Sequence, residues 1–195
     1  MALLLGLSTE VLIEIIACLA QYPGWVKDLS YTCKRLNACC APWVFKTYHL
    51  RLLANSPQLS QSSFDATAAR LQNFRDRASH VHDLTLRFGK TDDQDVDELF
   101  PSHAMPDLID ALNCTNKLIS IQLTSDQRGK LPLPLWNWLT TKNLTKFSVG
   151  CRLAPPPDAQ KHFRVPTFES YPYEEPMQFL NSNVSFKHAS YKYVL

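Results

Sequence analysis

The fold of the first part of the chain is decided by residues 7–19, which read LSTEVLIEIIACL. Ser8 is a good helix N-cap, because its hydroxyl can accept a hydrogen bond from a backbone N–H of the first turn. Glu10 falls in that first turn, where the helix dipole favours a negative charge. Apolar side chains then recur at helical spacing, which predicts an amphipathic helix. Its apolar face consists of Leu12, Ile15, Ile16 and Leu19.

Two further short helices are predicted after the first. Apolar residues recur at near-helical spacing through the second stretch, at Trp25, Leu29, Cys33 and Leu36. Thr32 is expected to cap a new helix and so divide this stretch in two. Pro42 is expected to mark the next helix boundary, because proline is disfavoured in a helix interior. Since about fifty residues form only a marginal core, the surplus of apolar residues indicates either a docking surface or a helical cap on the domain that follows.

The order of these residues resembles the F-box, in particular that of fungal F-box proteins. The family opens with Leu-Pro-x-Glu-hydrophobic-Leu, and its first helix is matched here by Leu7, Glu10, Val11, Leu12, Ile15, Ile16 and Leu19. The family's Leu-x-x-hydrophobic-Cys-Lys-Arg segment resembles residues 29–36, and its closing proline-to-aromatic element resembles residues 42–45. Two positions depart from the family pattern: Ser8 stands where proline is usual, and Leu36 where many members have tryptophan.

This resemblance implies docking to a Skp-family adaptor and, through it, to a cullin–RING ligase. The protein would then be the substrate-recognition adaptor subunit of a Skp–cullin–F-box ubiquitin ligase, binding an unknown protein substrate through its C-terminal region. The surface that the resemblance implies for the Skp-family adaptor consists of Leu7, Ser8, Val11, Leu12, Ile15, Ile16, Leu19, Leu29, Cys33 and Leu36. The alternative is a non-ligase protein-interaction module that uses the same helical surface.

The middle of the chain contains three segments that alternate apolar and polar residues, as half-buried strands do. They read VHDLTL at 81–86, LISIQL at 118–123 and LTKFSV at 144–149. Helical candidates lie between them at residues 105–112 and 133–139. This alternation, with its spaced leucines, resembles a degenerate and truncated leucine-rich-repeat array. A small α/β domain with a parallel sheet is the alternative.

The predicted fold class is therefore mixed, α+β. An N-terminal three-helix F-box-like module precedes a short leucine-rich-repeat-like α/β solenoid. The predicted boundaries are 1–53 for the helical module, 54–79 for a linker and connecting helix, 80–153 for the repeat-like region and 154–195 for a proline- and aromatic-rich tail.

Charge and composition bear on the remaining classes of partner. The net charge is +2, from 20 basic and 18 acidic residues without a basic run, so binding to nucleic acid or to a membrane is not expected. A DNA-binding helix-turn-helix is disfavoured, because the candidate recognition helix offers only Lys34 and Arg35 as basic residues. Glu10 and Glu14 interrupt the N-terminal apolar run, which argues against a signal peptide. The expected location is the cytoplasm, the nucleus or both.

Catalytic and metal-binding motifs are not evident in the sequence. It contains no G-x-S-x-G, Walker A or H-E-x-x-H motif, so we expect a protein that is not an enzyme and needs no cofactor. The six cysteines include no C-x-x-C pair, and a metal site is not expected. His80 and His82 lie two residues apart on one predicted strand face, but two ligands do not make a metal site.

Overall fold

The structure is a computed structural model in which the chain forms two compact units, Met1–Thr47 and Tyr48–Leu195. It describes residues 4, 6–52, 61–89, 100, 102–126, 129–150, 153–154, 163–170 and 184–191. Only the backbone is described for 61–65, 154, 163–170 and 184–191. Much of the predicted tail and the first part of the predicted linker therefore lie outside the described residues. None of the helices in these segments has the length and apolar character needed to cross a membrane.

The first unit contains the three predicted helices. They are α1 at Thr9–Leu19, α2 at Pro23–Ser30 and α3 at Lys34–Val44. The predicted N-cap of α1 is confirmed, because the Ser8 hydroxyl accepts a hydrogen bond of 3.4 Å from the Val11 amide. Pro23 occupies the first position of α2, where its missing N–H leaves no helical hydrogen bond unmade.

Two predicted helix boundaries in this unit are wrong. The N-cap of α3 is Cys33, in extended backbone, and not Thr32. The Thr32 hydroxyl instead donates a hydrogen bond of 2.8 Å to the Leu29 carbonyl at the end of α2. Pro42 lies inside α3 rather than at its boundary. Because proline has no N–H, α3 lacks one backbone hydrogen bond at this position, and the helix ends two residues later at Val44.

The core of the first unit is small and almost completely closed. Its buried apolar side chains are each at most 6% exposed: Leu12, Ile16, Val26, Leu36, Cys39 and Cys40. Partly buried side chains pack around them: Leu7, Leu19, Leu29, Cys33, Trp43 and Val44. Burying one aliphatic side chain contributes about 1.5–3 kcal/mol. The six buried side chains come from all three helices, so each helix contributes to the stability of this core.

The second unit is built on a six-stranded sheet whose strands follow one another in chain order. The strands are β1 at Thr47–Leu52, β2 at Asp83–Phe88, β3 at Ser120–Ser125, β5 at Lys146–Val149, β7 at Phe163–Ser170 and β8 at Val184–Tyr191. From β2 to β8, each strand pairs with the next in parallel. Two short strands, β4 at Gly129–Lys130 and β6 at Leu153–Ala154, form a separate parallel pair.

Three helices pack against this sheet to form its core. They are α4 at Gln61–Arg75, α5 at Met105–Asn113 and α6 at Leu133–Leu139. Strands β2, β3 and β5 contribute alternate apolar residues to the core, as the two-residue period of a strand requires. These strand residues are Leu84, Leu86, Phe88, Ile121, Leu123, Phe147 and Val149. Among the described residues, Trp136 of α6 is the largest fully buried side chain.

The mixed α and β class predicted from the sequence is confirmed. The three predicted strands are present with their bounds moved by up to two residues, and both predicted helices between them are present. Within the predicted tail, the described residues add β7 and β8 to the same sheet. The compact units divide after Thr47, so that all of β1 except its first residue belongs to the second unit, although the strand precedes residue 53.

Candidate functional site

The ten residues that the F-box resemblance implies for adaptor docking fall into three environments. Leu12, Ile16 and Leu36 are buried, at 0%, 0% and 2% exposure. A further five are partly buried: Leu7, Ile15, Leu19, Leu29 and Cys33. Ser8 and Val11 are exposed. The three buried side chains form the unit's own core, and in this conformation they present no surface to a partner.

The members of the set that reach the surface include an apolar row along α1. Val11, Ile15 and Leu19 are spaced four residues apart, so their side chains are neighbours along one line of the helix. Val11 is 40% exposed, and the other two are partly buried. Leu12 follows Val11 in the chain and Ile16 follows Ile15. Both of these side chains are buried, and they pack on the neighbouring side of α1 in the core. We refer to Val11, Ile15 and Leu19 as the apolar row.

Ile13 provides a natural comparison with the apolar row. It is 42% exposed, almost the same as Val11, and lies on the same helix. Two residues correspond to about 200° of rotation around an α-helix, so Ile13 projects from the side of α1 opposite to Val11. Ile13 is not among the residues implied by the resemblance, although it is equally apolar and equally accessible.

Exposed aromatic residues on the helical unit were missed by the sequence analysis. The rings of Tyr22 and Trp25 stack with their centroids 4.9 Å apart and their planes inclined by 29°. Tyr22 is 49% exposed, Trp25 is 60% exposed and Tyr31 is 72% exposed. Trp25 was expected on the apolar face of the second stretch, but Val26 takes the core position instead. The four-residue spacing between Trp25 and Leu29 did not indicate that Val26, and not Trp25, would occupy the core position.

A charged cluster lies where α1 begins. The Arg35 guanidinium donates a hydrogen bond of 2.6 Å to the Leu7 carbonyl and lies 3.5 Å from the Thr9 hydroxyl. The pKa of Glu10 is lowered from its ordinary value by a hydrogen bond with its own backbone, by the Ser8 hydroxyl and by the charge of Arg35. Polar and charged groups therefore surround the entry to α1, close to the apolar row.

The second unit presents a polar sheet face. The strand residues that alternate with the core residues are Asp83, Thr85, Arg87, Ser120, Gln122, Thr124, Lys146 and Ser148. Register places Thr85 beside Gln122 and Gln122 beside Ser148, and the same line continues to the position of Glu169. Arg87 forms an ion pair of 2.7 Å with Asp126 at one end of this face. Ser148 is only 3% exposed, so we refer to the other seven residues as the polar sheet face.

Side chains suited to metal binding are not gathered in the part of the chain that the structure describes. No cluster of three or more His, Cys, Asp or Glu side chains there could hold a metal ion. Burial lowers the pKa of Lys142, whose ammonium lies 4.9 Å from the centroid of the Trp138 ring in a cation–π contact. This contact gives Lys142 a packing role against α6.

No family model, no curated protein and no solved structure matches this chain. Relatives therefore provide no residue roles that could be transferred to it. Among the described residues, two surfaces are candidates for binding a partner: the apolar row on α1 and the polar sheet face of the second unit.

Proposed function

We propose that the protein is a substrate-recognition adaptor of a Skp–cullin–F-box ubiquitin ligase. The apolar row and the partly buried residues around it would dock a Skp-family adaptor, and the second unit would bind the protein substrate. The observation that carries this proposal is that α1 has both buried and exposed apolar side chains. Leu12 and Ile16 close the core, whereas Val11 remains exposed on the adjacent line of the same helix.

The energy available from the apolar row limits how the adaptor would dock. Complete burial of one aliphatic side chain contributes about 1.5–3 kcal/mol, so three contribute less than about 9 kcal/mol. Association costs about 4–15 kcal/mol in lost freedom of the two partners. The row alone is therefore insufficient for tight binding, because Ile15 and Leu19 are already partly buried. The proposed interface accordingly includes the partly buried Leu7, Leu29 and Cys33 of the implied set.

The topology of the second unit supports the proposed repeat-like substrate domain. Parallel strands that follow chain order require connections that return along the sheet, and such connections are almost always right-handed. Helices α5 and α6 belong to two of these connections, and both contribute to the single core. A stack of strand–helix units of this kind is the arrangement expected of a short solenoid. The polar sheet face is then the proposed substrate-binding surface.

Co-purification of the full chain with a Skp-family adaptor tests the proposal. The informative variants are Val11→Asp and Ile13→Asp, which place the same charge at two equally exposed positions on opposite sides of α1. Wild type and Ile13→Asp are expected to bind, and Val11→Asp to lose binding by at least about tenfold, which corresponds to about 1.4 kcal/mol. Substitutions at Leu12 or Ile16 are unsuitable, because unfolding of the core would itself abolish binding.

The outcomes distinguish the proposal from its alternative. If the wild-type chain is folded by circular dichroism and does not bind the adaptor, the ligase proposal is overturned. A non-ligase interaction module would then be the better account of the apolar row. Equal loss of binding in Val11→Asp and Ile13→Asp would show that contact with the adaptor is not confined to the row, and would overturn the proposed orientation of α1.

A further inference from the structure

We draw no further inference here: the strongest candidate, the exposed aromatic patch formed by the stacked rings of Tyr22 and Trp25 on the helical unit, carries nothing because no feature of the described residues indicates what covers it.

Discussion

The Nη2 atom of Arg35 donates a hydrogen bond of 2.6 Å to the carbonyl oxygen of Leu7, 28 residues earlier in the chain. The bond joins the segment that precedes α1 to the first turn of α3. A cation in the first turn of a helix is disfavoured by the helix dipole, so this position of Arg35 requires compensation. The Leu7 carbonyl provides it, and the side chain of Leu7 packs against the core of the same unit.

Replacing Arg35 with methionine is expected to loosen the start of α1. The loss of a hydrogen bond to a charged donor costs about 1.5–3 kcal/mol, whereas removing the cation from the N-terminus of α3 returns about 0.3–1 kcal/mol. The net effect is a loss of about 1 kcal/mol, at the low end because Arg35 is exposed. Hydrogen-exchange mass spectrometry of the full chain would register it as reduced protection across residues 7–19.

Lys34→Met is the matched control for Arg35→Met. Lys34 is also an exposed cation in the first turn of α3, and its removal relieves the same unfavourable interaction with the dipole. Protection of residues 7–19 is expected to stay unchanged or to rise slightly in this variant. Identical behaviour of the two variants would contradict a specific role for the bond between Arg35 and Leu7.

Adjacent residues of α1 are expected to differ sharply in their contribution to stability. Leu12→Ala would leave a cavity in the closed core and lower the free energy of unfolding by about 2–5 kcal/mol. Val11→Ala, on the exposed line, would change it by less than about 0.5 kcal/mol. Equilibrium urea denaturation of the full chain measures both. Equal effects would mean that Leu12 does not face the core more closely than Val11.

The lowered pKa of Glu10 predicts a dependence of stability on pH. A carboxyl group whose pKa is lower in the folded state stabilises that state at pH values above its unfolded pKa. This contribution is lost as the pH falls through the folded pKa, below the ordinary value of 4.5. Thermal melts of wild type and Glu10→Gln should therefore differ at pH 7 and converge as the pH falls below 4.5. A difference that stays constant over this range would argue against the interaction.

The elements of the first unit that depend on local sequence were predictable. The cap at Ser8 is such an element, because it involves residues within one turn. The predicted apolar face of α1 includes Leu12 and Ile16 without Val11, and the structure confirms this, because the first two are buried and Val11 is 40% exposed. Whether such a face closes the unit's own core or docks a partner was not predictable from the stripe. The buried positions of Leu12, Ile16 and Leu36 follow from how three helices meet, which is a tertiary property.

In the second unit, too, features set by local sequence were predictable and those set by tertiary contacts were not. Strands β2, β3 and β5 were predictable because their apolar residues alternate, and the intervening helices because theirs recur at helical spacing. The strand at residues 163–170 was not predictable in this way. Residues 163–170 contain Pro166 and lack a clear alternation, and their strand form depends on parallel pairing with β5 and β8. Such pairing between distant segments leaves little local signal.

A side-chain hydrogen bond joins α5 to α6. The indole N–H of Trp138 donates to the Asn113 Oδ1 atom at 3.0 Å, and Trp138 is only 5% exposed. Asn113→Ala would leave this N–H unpaired and lower the free energy of unfolding by about 1–3 kcal/mol. Asn113→Asp retains an acceptor and should be closer to wild type. Near-ultraviolet circular dichroism and urea denaturation would detect the change, and an unaltered Asn113→Ala variant would contradict the stated role of the bond.

The cysteines of the first unit are expected to differ in their reaction with iodoacetamide. Cys18 is exposed, whereas Cys40 is fully buried. Burial raises the pKa of the Cys40 thiol, and the neighbouring Cys39 raises it further. Since the thiolate is the reactive species, Cys40 should react much more slowly than Cys18 at pH 8, and only when the core opens.

Peptide mass spectrometry after timed alkylation of the full chain measures each cysteine separately. Cys114, exposed at the end of α5, serves as a second fast-reacting reference in the other unit. In concentrated urea all of these thiols should react at similar rates, because burial no longer excludes the reagent or disfavours the thiolate. Reaction of Cys40 as fast as Cys18 without denaturant would contradict the closed core formed by α1, α2 and α3. Slow reaction of Cys40 that is accelerated by Leu12→Ala would show that opening of that core limits access to the thiol.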